Sequence, residues 1–594
     1  MLVTDNKRDF YDIILSDRGH VLVLVSYDLD SILAVKILRH IFECDHIQHS
    51  IIPVKDKAEL HRTFQQHRER VKHVVLINCG GSFDCLEFFI PEPDVNIFIA
   101  DCRRPLNIHN VYYDTNIYIL SAISGLNNIE NEFETIPKYE DVFWEDDVFD
   151  DDDDVDVQSL SLEQLNKRRA FKKFETNRFN VLYDYEQYSY YTFSTALMFF
   201  DLAWTLGKDN NDLLWYCILS TVDKADSFKV QNDKYQREIT YLHEAMLRLK
   251  NIHSDNRIVI NRQHNSFNDG TNNGNNNDQI TIATNHLSLA YEKDLNLKMY
   301  RDWSLYESLR HTMFVACRFK IFKGQGVTKL HRFLADLGLP LIECKNKFDN
   351  MDLNLRKNLI EEMEEKADKY GLKKLICHSF IAIRSGFLRC KAEDIAAGAR
   401  SLLESANEQR SSKQKFFDAF DSLELSKRKV LTAGIDQAKI QLAAILQQVQ
   451  MILGGNFTRL MNDVLLYVIL PECSDDEMLF CHPSRLRTLA IFTLNAYASF
   501  YSKNNRNFRL PLVMMTRDPD TTGRAIVCGL PPLLALKDCK TFLKNAFSLI
   551  SEKMMKTVEN WSFEQSLIDH DIVYIPWEHR FQFLHEFADT LKSS

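Results

Sequence analysis

Short apolar runs alternate with amphipathic stretches through the first 120 residues. Residues 20–26 (HVLVLVS) are apolar enough for a buried strand, and residues 30–44 carry Ile32, Leu33, Val35, Ile37, Leu38 and Ile41 at helical spacing. Further strands are predicted at 50–54, 72–78 (KHVVLIN), 96–101 (NIFIAD) and 116–120, with a helix over 58–70. This alternation predicts an α/β domain on a largely parallel sheet, in which ligands sit at the carboxyl ends of the strands. Beyond it, helical patterns cover 160–178, 192–206, 211–224, 303–373 and 427–447. The tail mixes strands at 463–469 and 510–516 with helices at 483–496 and 537–551, the pattern of a second, smaller α/β domain.

Composition narrows this picture. With 594 residues, 45% hydrophobic and 26% charged, the chain can bury a large core and is too long for a single one. Its formal charge of -11 is local, since residues 141–156 (DVFWEDDVFDDDDDVD) hold ten acids and no base. Outside that run 73 acids face 72 bases, so neither a strongly basic nor an acid-coated body is expected. Residues 263–278 (QHNSFNDGTNNGNNND) are Asn- and Gly-rich and read as a disordered surface insertion. No apolar run reaches the ~18 residues of a membrane span, and the charged start is unlike a secretory signal, so an intracellular protein is expected. The 13 cysteines form no CxxC pair and read as reduced, mostly buried thiols.

The sharpest chemical feature is Ser26-Tyr27-Asp28-Leu29-Asp30-Ser31, where the first long strand meets a helix. Two carboxylates at that point suit either divalent cations, which want several anionic oxygens, or a helix amino terminus, which they would cap. Asp101 ends the strand NIFIAD, and Asn78 ends the strand before it. Other signatures fail: Lys323-Gly324-Gln325-Gly326 is no phosphate loop, and His243-Glu244 and His585-Glu586 lack the second histidine of HExxH. Residues 318–323 (RFKIFK) interleave cations and rings as single-strand binders do, yet fit better as core aromatics beside a helix end. The basic run from Lys167 to Lys173 reads as a nuclear localisation signal or as a solvated helix face.

Asp28, Asp30, Asp101 and Asp223 in STVD together resemble the motif ladder of the DHH phosphoesterase superfamily, which includes RecJ-type nucleases. An active member would hold two metal ions on such aspartates. Here the third-strand aspartate is replaced by Asn78 and the DHH triplet by Asp101-Cys102-Arg103, and the glycine-rich RxxGGGH-like signature is reduced to Arg384-Ser385-Gly386-Phe387. The segments FECDHIQHSIIPV (42–54), LINCG (76–80), DCRRPLNIHNV (101–111), YDYEQY (183–188), WSLYESL (303–309), FLADLGLPL (333–341) and LPLVM (510–514) are similar to the cell division control protein 45 family, over most of the chain. Arg103 stands where that family commonly has His.

The resemblance implies a DHH-like parallel-sheet domain in residues 1–140 and 159–300, split by an acidic disordered loop at 141–158. It further implies a helical interaction region at 301–373 and a DHHA1-like domain at 374–594. It implies a catalytically silent nuclear protein without metal or cofactor, a replicative-helicase subunit partnered by the MCM ring and the GINS complex. Asp28, Asp30, Asn78, Asp101 and Asp223 become vestigial metal-motif positions, and Arg103 and Arg104 are expected to meet phosphates of single-stranded DNA. The alternative is an active metal-dependent phosphoesterase or single-strand exonuclease using the four retained aspartates.

Overall fold

The computed structural model describes residues 2–17, 19–113, 116–120, 135–144, 162–265, 287–384, 388–471 except 407–408 and 425–426, 477–500, and 509–593 except 520 and 522. The acidic run beyond residue 144, the Asn-rich stretch from 266 onward and residues 385–387 lie outside the described residues.

Every pairing in the first sheet is parallel, in the order Leu2–Val3, Ile117–Leu120, Asn96–Ala100, His73–Ile77, Val21–Ser26, His49–Val54. Such a sheet is covered on both faces, which explains why its strands are apolar throughout. Val21, Val23 and Val25 face the helices Leu29–Cys44, Thr195–Thr205 and Asn211–Asp226 in one core, whereas Leu22 and Leu24 face Leu60, Phe64 and Phe89 in another. From Val21–Ser26 the chain passes to His49–Val54 on one side and then crosses back to His73–Ile77 on the other. The crevice between the ends of Val21–Ser26 and His73–Ile77 is therefore the topological switch point, where α/β sheets bind ligands.

A second six-stranded sheet is mixed, ordered Arg459–Met461, Leu465–Ile469, Leu512–Arg517, Arg524–Leu530, Ile572–Pro576, Glu564–Gln565. Leu512 and Met514 pack on a core shared with the helical segment Leu305–Tyr370, and Val513 and Met515 on one built with Leu543–Thr557 and Arg580–Ser593. Residues 392–438 pack with the first sheet's helices. The long helix there runs Arg428–Gly454, and Gly434 lets it approach Ala392–Leu403: a Cβ at Gly434 would lie 2.6 Å from the Gly398 carbonyl.

Two features differ from the sequence pattern. The helix expected at 537–551 is two, Leu533–Asp538 and Leu543–Thr557, because Cys539 at φ 51° ends the first and Lys540–Thr541 pairs with Ser189–Tyr191. That strand also pairs with Arg103–Arg104, so one small antiparallel sheet joins the two halves. Secondly, Ser288–Leu295, Ile376–Arg384 and Leu388–Lys391 form an antiparallel sheet whose register spans a helical region of the sequence. In RFKIFK, Phe319 and Ile321 are core residues and the Arg318 Nε donates to the Tyr370 carbonyl at 2.8 Å. All twelve described cysteines are free.

Candidate functional site at the strand ends

Asp28 and Asp30 separate at the start of the Leu29–Cys44 helix. Asp28 is its cap, accepting from the Ser31 amide at 2.7 Å and the Ser31 hydroxyl at 2.8 Å. Asp30 points inward and is buried at 6% exposure. Its Oδ1 accepts from the Ser220 hydroxyl at 2.6 Å and the Ala196 amide at 3.2 Å, and its Oδ2 from the Thr195 amide at 3.1 Å and the Asn78 Nδ2 at 3.1 Å. The Lys224 Nζ stands 3.2 Å from the same Oδ2. Thr195 and Ala196 begin a helix, so the carboxylate also meets the positive end of a helix dipole. Burial alone would raise Asp30, but Lys224, Ser220, Asn78 and Thr195 together hold it below the usual carboxylate range. Burial and the charge of Asp30 push Asp28 the other way, upward.

Asn78 belongs here because it both donates and accepts. Its Nδ2 also reaches the Ser31 hydroxyl oxygen at 3.0 Å, while its Oδ1 accepts from the Thr195 hydroxyl at 2.7 Å and the Cys102 amide at 3.1 Å. An aspartate could not donate to Asp30. The backbone at Asn78 is left-handed, φ 51°, a region asparagine tolerates better than most residues.

Asp101 is held just as completely. Its Oδ1 accepts from the Arg103 amide at 3.0 Å and Nε at 2.9 Å, and its Oδ2 from the Arg103 guanidinium at 2.7 Å and the Gly81 amide at 2.9 Å. Gly81 permits this, since a Cβ there would lie 2.9 Å from that oxygen. Burial opposes ionisation, but Arg103 outweighs it and brings Asp101 to about 2. Arg103 and Arg104 are both buried, at 4% and 5% exposure. Arg103 also donates to the carbonyls of Asn78 and Leu567, and Arg104 to those of Asp101 and Arg103. Neither guanidinium is presented to solvent: the neighbouring carboxylate and carbonyls supply their acceptors from within.

Asp223 lies one residue before Lys224 but faces the other way, 3.3 Å from Arg400. Burial raises its carboxyl against the pull of Arg400. The structure thus brings Asp28, Asp30, Asn78 and Asp101 to one strand-end crevice and pairs Asp223 with Arg400. Lys229, 3.0 Å from Asp569, is near enough to lower both Asp28 and Asp223. Asp569 and Asp571 pair in turn with Arg487 at 3.5 and 3.3 Å. Lys224, Lys229, Arg400 and Arg487 escaped sequence reasoning. Ser220 and Lys224 do show i,i+4 spacing on the helix of Asp223, but their target is 190 residues away.

The residues present do not fit a metal pair. The oxygens of Asp30 and Asp101 are taken by protein donors, and an ammonium and a guanidinium supply the positive charge beside them. No cluster of three His, Cys, Asp or Glu side chains suited to a metal occurs among the described residues. A cavity of about 730 Å³ opens nearby, lined by Tyr27, Lys55, Glu404, His482, Asp518 and Arg524 among others. Its charges are mixed, and Arg524 is paired with Asp518 at 2.8 Å and Glu564 at 2.9 Å. No helix among the described residues is long and apolar enough to cross a membrane.

Fold and site define an α/β protein whose strand-end carboxylates are neutralised by its own lysine and arginine side chains. The CDC45 family model matches residues 21–164 and 158–572. The chain is 34% identical over 582 residues to the cell division control protein 45 homolog of Homo sapiens, covering 96% of this chain and 97% of that one. It is 34% identical over 585 residues to the mouse homolog, with the same coverage. The crystal structure of CDC45 from Entamoeba histolytica shares the fold, with a TM-score of 0.66 at 19% identity over 100% of both chains. The chain belongs to the CDC45 family.

Proposed function

We propose that this protein is a non-catalytic DNA replication factor of the nucleus, a replicative-helicase subunit that bridges the MCM ring and the GINS complex. The observation that carries the non-catalytic part is the pair of buried cations on Asp30 and Asp101. A two-metal phosphoesterase needs those oxygens open to divalent ions, and here each carboxylate already has its counter-charge and its donors. Family membership supports the replication role, with energy supplied by the ATPase ring and not by this chain. The exposed run Lys167, Arg169, Lys172 and Lys173 on the helix Leu162–Glu186 supports nuclear import. We assign 1–140 with 159–300 and 374–594 as the two α/β domains, and 301–373 as the docking region between them. Asp28, Asp30, Asn78, Asp101 and Asp223 are assigned as remnants of a metal site.

Co-purification from replicating nuclei tests this reading: MCM and GINS subunits should accompany the chain, and their absence would overturn the scaffold role. A manganese-dependent turnover assay on a labelled oligonucleotide tests the catalytic silence. Hydrolysis that disappears in Asp30→Ala would establish the exonuclease alternative instead.

A further inference from the structure

One short loop of the second half collects contacts from three separate elements of the first. Residues 567–571 lead from the edge strand Glu564–Gln565 into Ile572–Pro576. The Leu567 carbonyl accepts from the Arg103 guanidinium, and the Asp569 Oδ1 accepts from the Tyr191 hydroxyl at 3.1 Å. The Lys229 Nζ lies 3.0 Å from the Asp569 Oδ2. The His570 ring is centred 5.7 Å from that of Tyr191, and Ile568 packs on the core of the first half. In return, Phe228 packs on a core of the second half, and Arg487, which pairs with Asp569 and Asp571, donates to the Ser227 carbonyl. The strand that carries Tyr191 also pairs with Lys540–Thr541 of the second half.

This joint is polar where the cores on either side are apolar. Asp569 is 2% exposed; its burial opposes ionisation, but Lys229 and Arg487 outweigh it and hold the carboxyl below the usual range. Arg485 and Glu404 form a further buried ion pair across the halves. Charges buried in pairs regain their hydration when the surfaces part, so such a joint costs less to open than an apolar one of equal area. Other elements run unbroken through both halves. The helix Arg428–Gly454 carries Ile435 and Ala438 into the first core, and Ile445, Val449 and Ile452 into the second. Arg103 links the joint to the strand-end crevice, since the guanidinium that reaches Leu567 also holds Asp101.

We propose that residues 567–571 are a clasp that holds the two halves closed over the strand-end crevice, and that its release lets them part while the helix Arg428–Gly454 keeps them joined. Arg103, which neutralises Asp101 in the crevice, is thereby also one of the groups that close it. The clasp goes beyond the scaffold role and does not rest on it; co-purification tests that role separately.

The test uses the full chain with Lys229→Gln, alone and combined with Asp569→Asn. Hydrogen–deuterium exchange read by mass spectrometry follows residues 100–104, 189–191, 540–541 and 566–571 at the clasp, with the buried strands Val21–Ser26 and Leu512–Arg517 as internal controls. Small-angle X-ray scattering follows the radius of gyration. Lys229→Gln removes a counter-charge from the buried Asp569, so exchange at the clasp should quicken at least about tenfold and the radius of gyration should grow, with both control strands unchanged. Adding Asp569→Asn should bring exchange back toward that of the unaltered protein, because asparagine keeps an acceptor for Tyr191 and buries no charge. Clasp exchange as slow in Lys229→Gln as in the unaltered protein overturns the proposal, as does a double variant as open as Lys229→Gln. A rise shared equally by the control strands overturns it too, since the halves would then be unfolding and not parting. Should Lys229→Gln fail to fold, Tyr191→Phe removes one clasp bond while keeping the ring, and is read in the same way.

Discussion

The Lys224 Nζ lies 3.2 Å from the Asp30 Oδ2, with both side chains buried at the mouth of the parallel sheet. The ion pair ties the helix Asn211–Asp226 to the start of Leu29–Cys44, and Ser220, one turn before Lys224, fixes the other carboxylate oxygen. Positive charge that would otherwise come from solution is thereby built into the fold.

Removing one partner of such a pair leaves the other charged and buried. Lys224→Met should cost about 3–5 kcal/mol in urea denaturation. Asp30→Asn placed in the same chain should recover part of that loss, because the stranded charge is gone. If the two substitutions cost the same together as the sum of each alone, the pair contributes no coupling and this account of the site is wrong.

Asp101 sets a pH window. Its carboxyl sits at about 2 in the folded protein, below the ordinary value of ~3.9, so it favours folding at all pH above the ordinary value. That contribution is lost as pH falls from there through about 2. Asp101→Asn should therefore lower stability by roughly 2–3 kcal/mol near neutrality and flatten the dependence between pH 4 and 2, as read by circular dichroism. An acid limb as steep as that of the unaltered protein would count against the Arg103 pairing.

Much of the fold could be read from the chain, because strands covered on both faces leave continuous apolar runs such as HVLVLVS, and helices between them repeat at 3.6. The crevice too was legible, since Asp28, Asp30, Asn78 and Asp101 all end strands or begin the helix that follows one. What occupies the carboxylates was not. Lys224 and Ser220 lie about 190 residues from Asp30, and nothing local in STVDK distinguishes a lysine that turns inward from one that faces water. Likewise DCRRP looked like a basic element open to phosphate, and only the tertiary structure shows Arg103 folding back on its own Asp101. The antiparallel sheet of Ser288–Leu295 with Ile376–Arg384 pairs segments more than eighty residues apart, beyond the reach of local periodicity.

Glu238 gives the opposite pH sign. It is 1% exposed, its Oε2 has no hydrogen-bond partner among the described residues, and burial raises it to about 7 despite the attraction of Lys224. A carboxyl raised in the folded state costs nothing while both states are protonated and destabilises as pH climbs from ~4.3 through 7. Glu238→Gln should match the unaltered protein below about pH 4 and gain about 1–3 kcal/mol by pH 8 in paired melting curves. A difference that does not change with pH would show that Glu238 is not titrating there.

Two glycines of one helix should respond in opposite directions to alanine. At Gly434 a new methyl group would lie 2.6 Å from the Gly398 carbonyl and 3.0 Å from Leu402, and the backbone oxygen has no room to yield because the Ser401 hydroxyl bridges both glycine carbonyls. Helix propensity gains about 1 kcal/mol from Gly→Ala, but overpacking costs roughly 1–3 kcal/mol, so Gly434→Ala should be destabilising on balance. At Gly454, the last residue of the same helix, nothing lies within 4 Å of the added carbon. Gly454→Ala should therefore be neutral or stabilising by up to about 1 kcal/mol. Urea midpoints of the two variants decide it: if Gly434→Ala is as stable as Gly454→Ala, the close approach of Arg428–Gly454 to Ala392–Leu403 does not depend on the missing side chain.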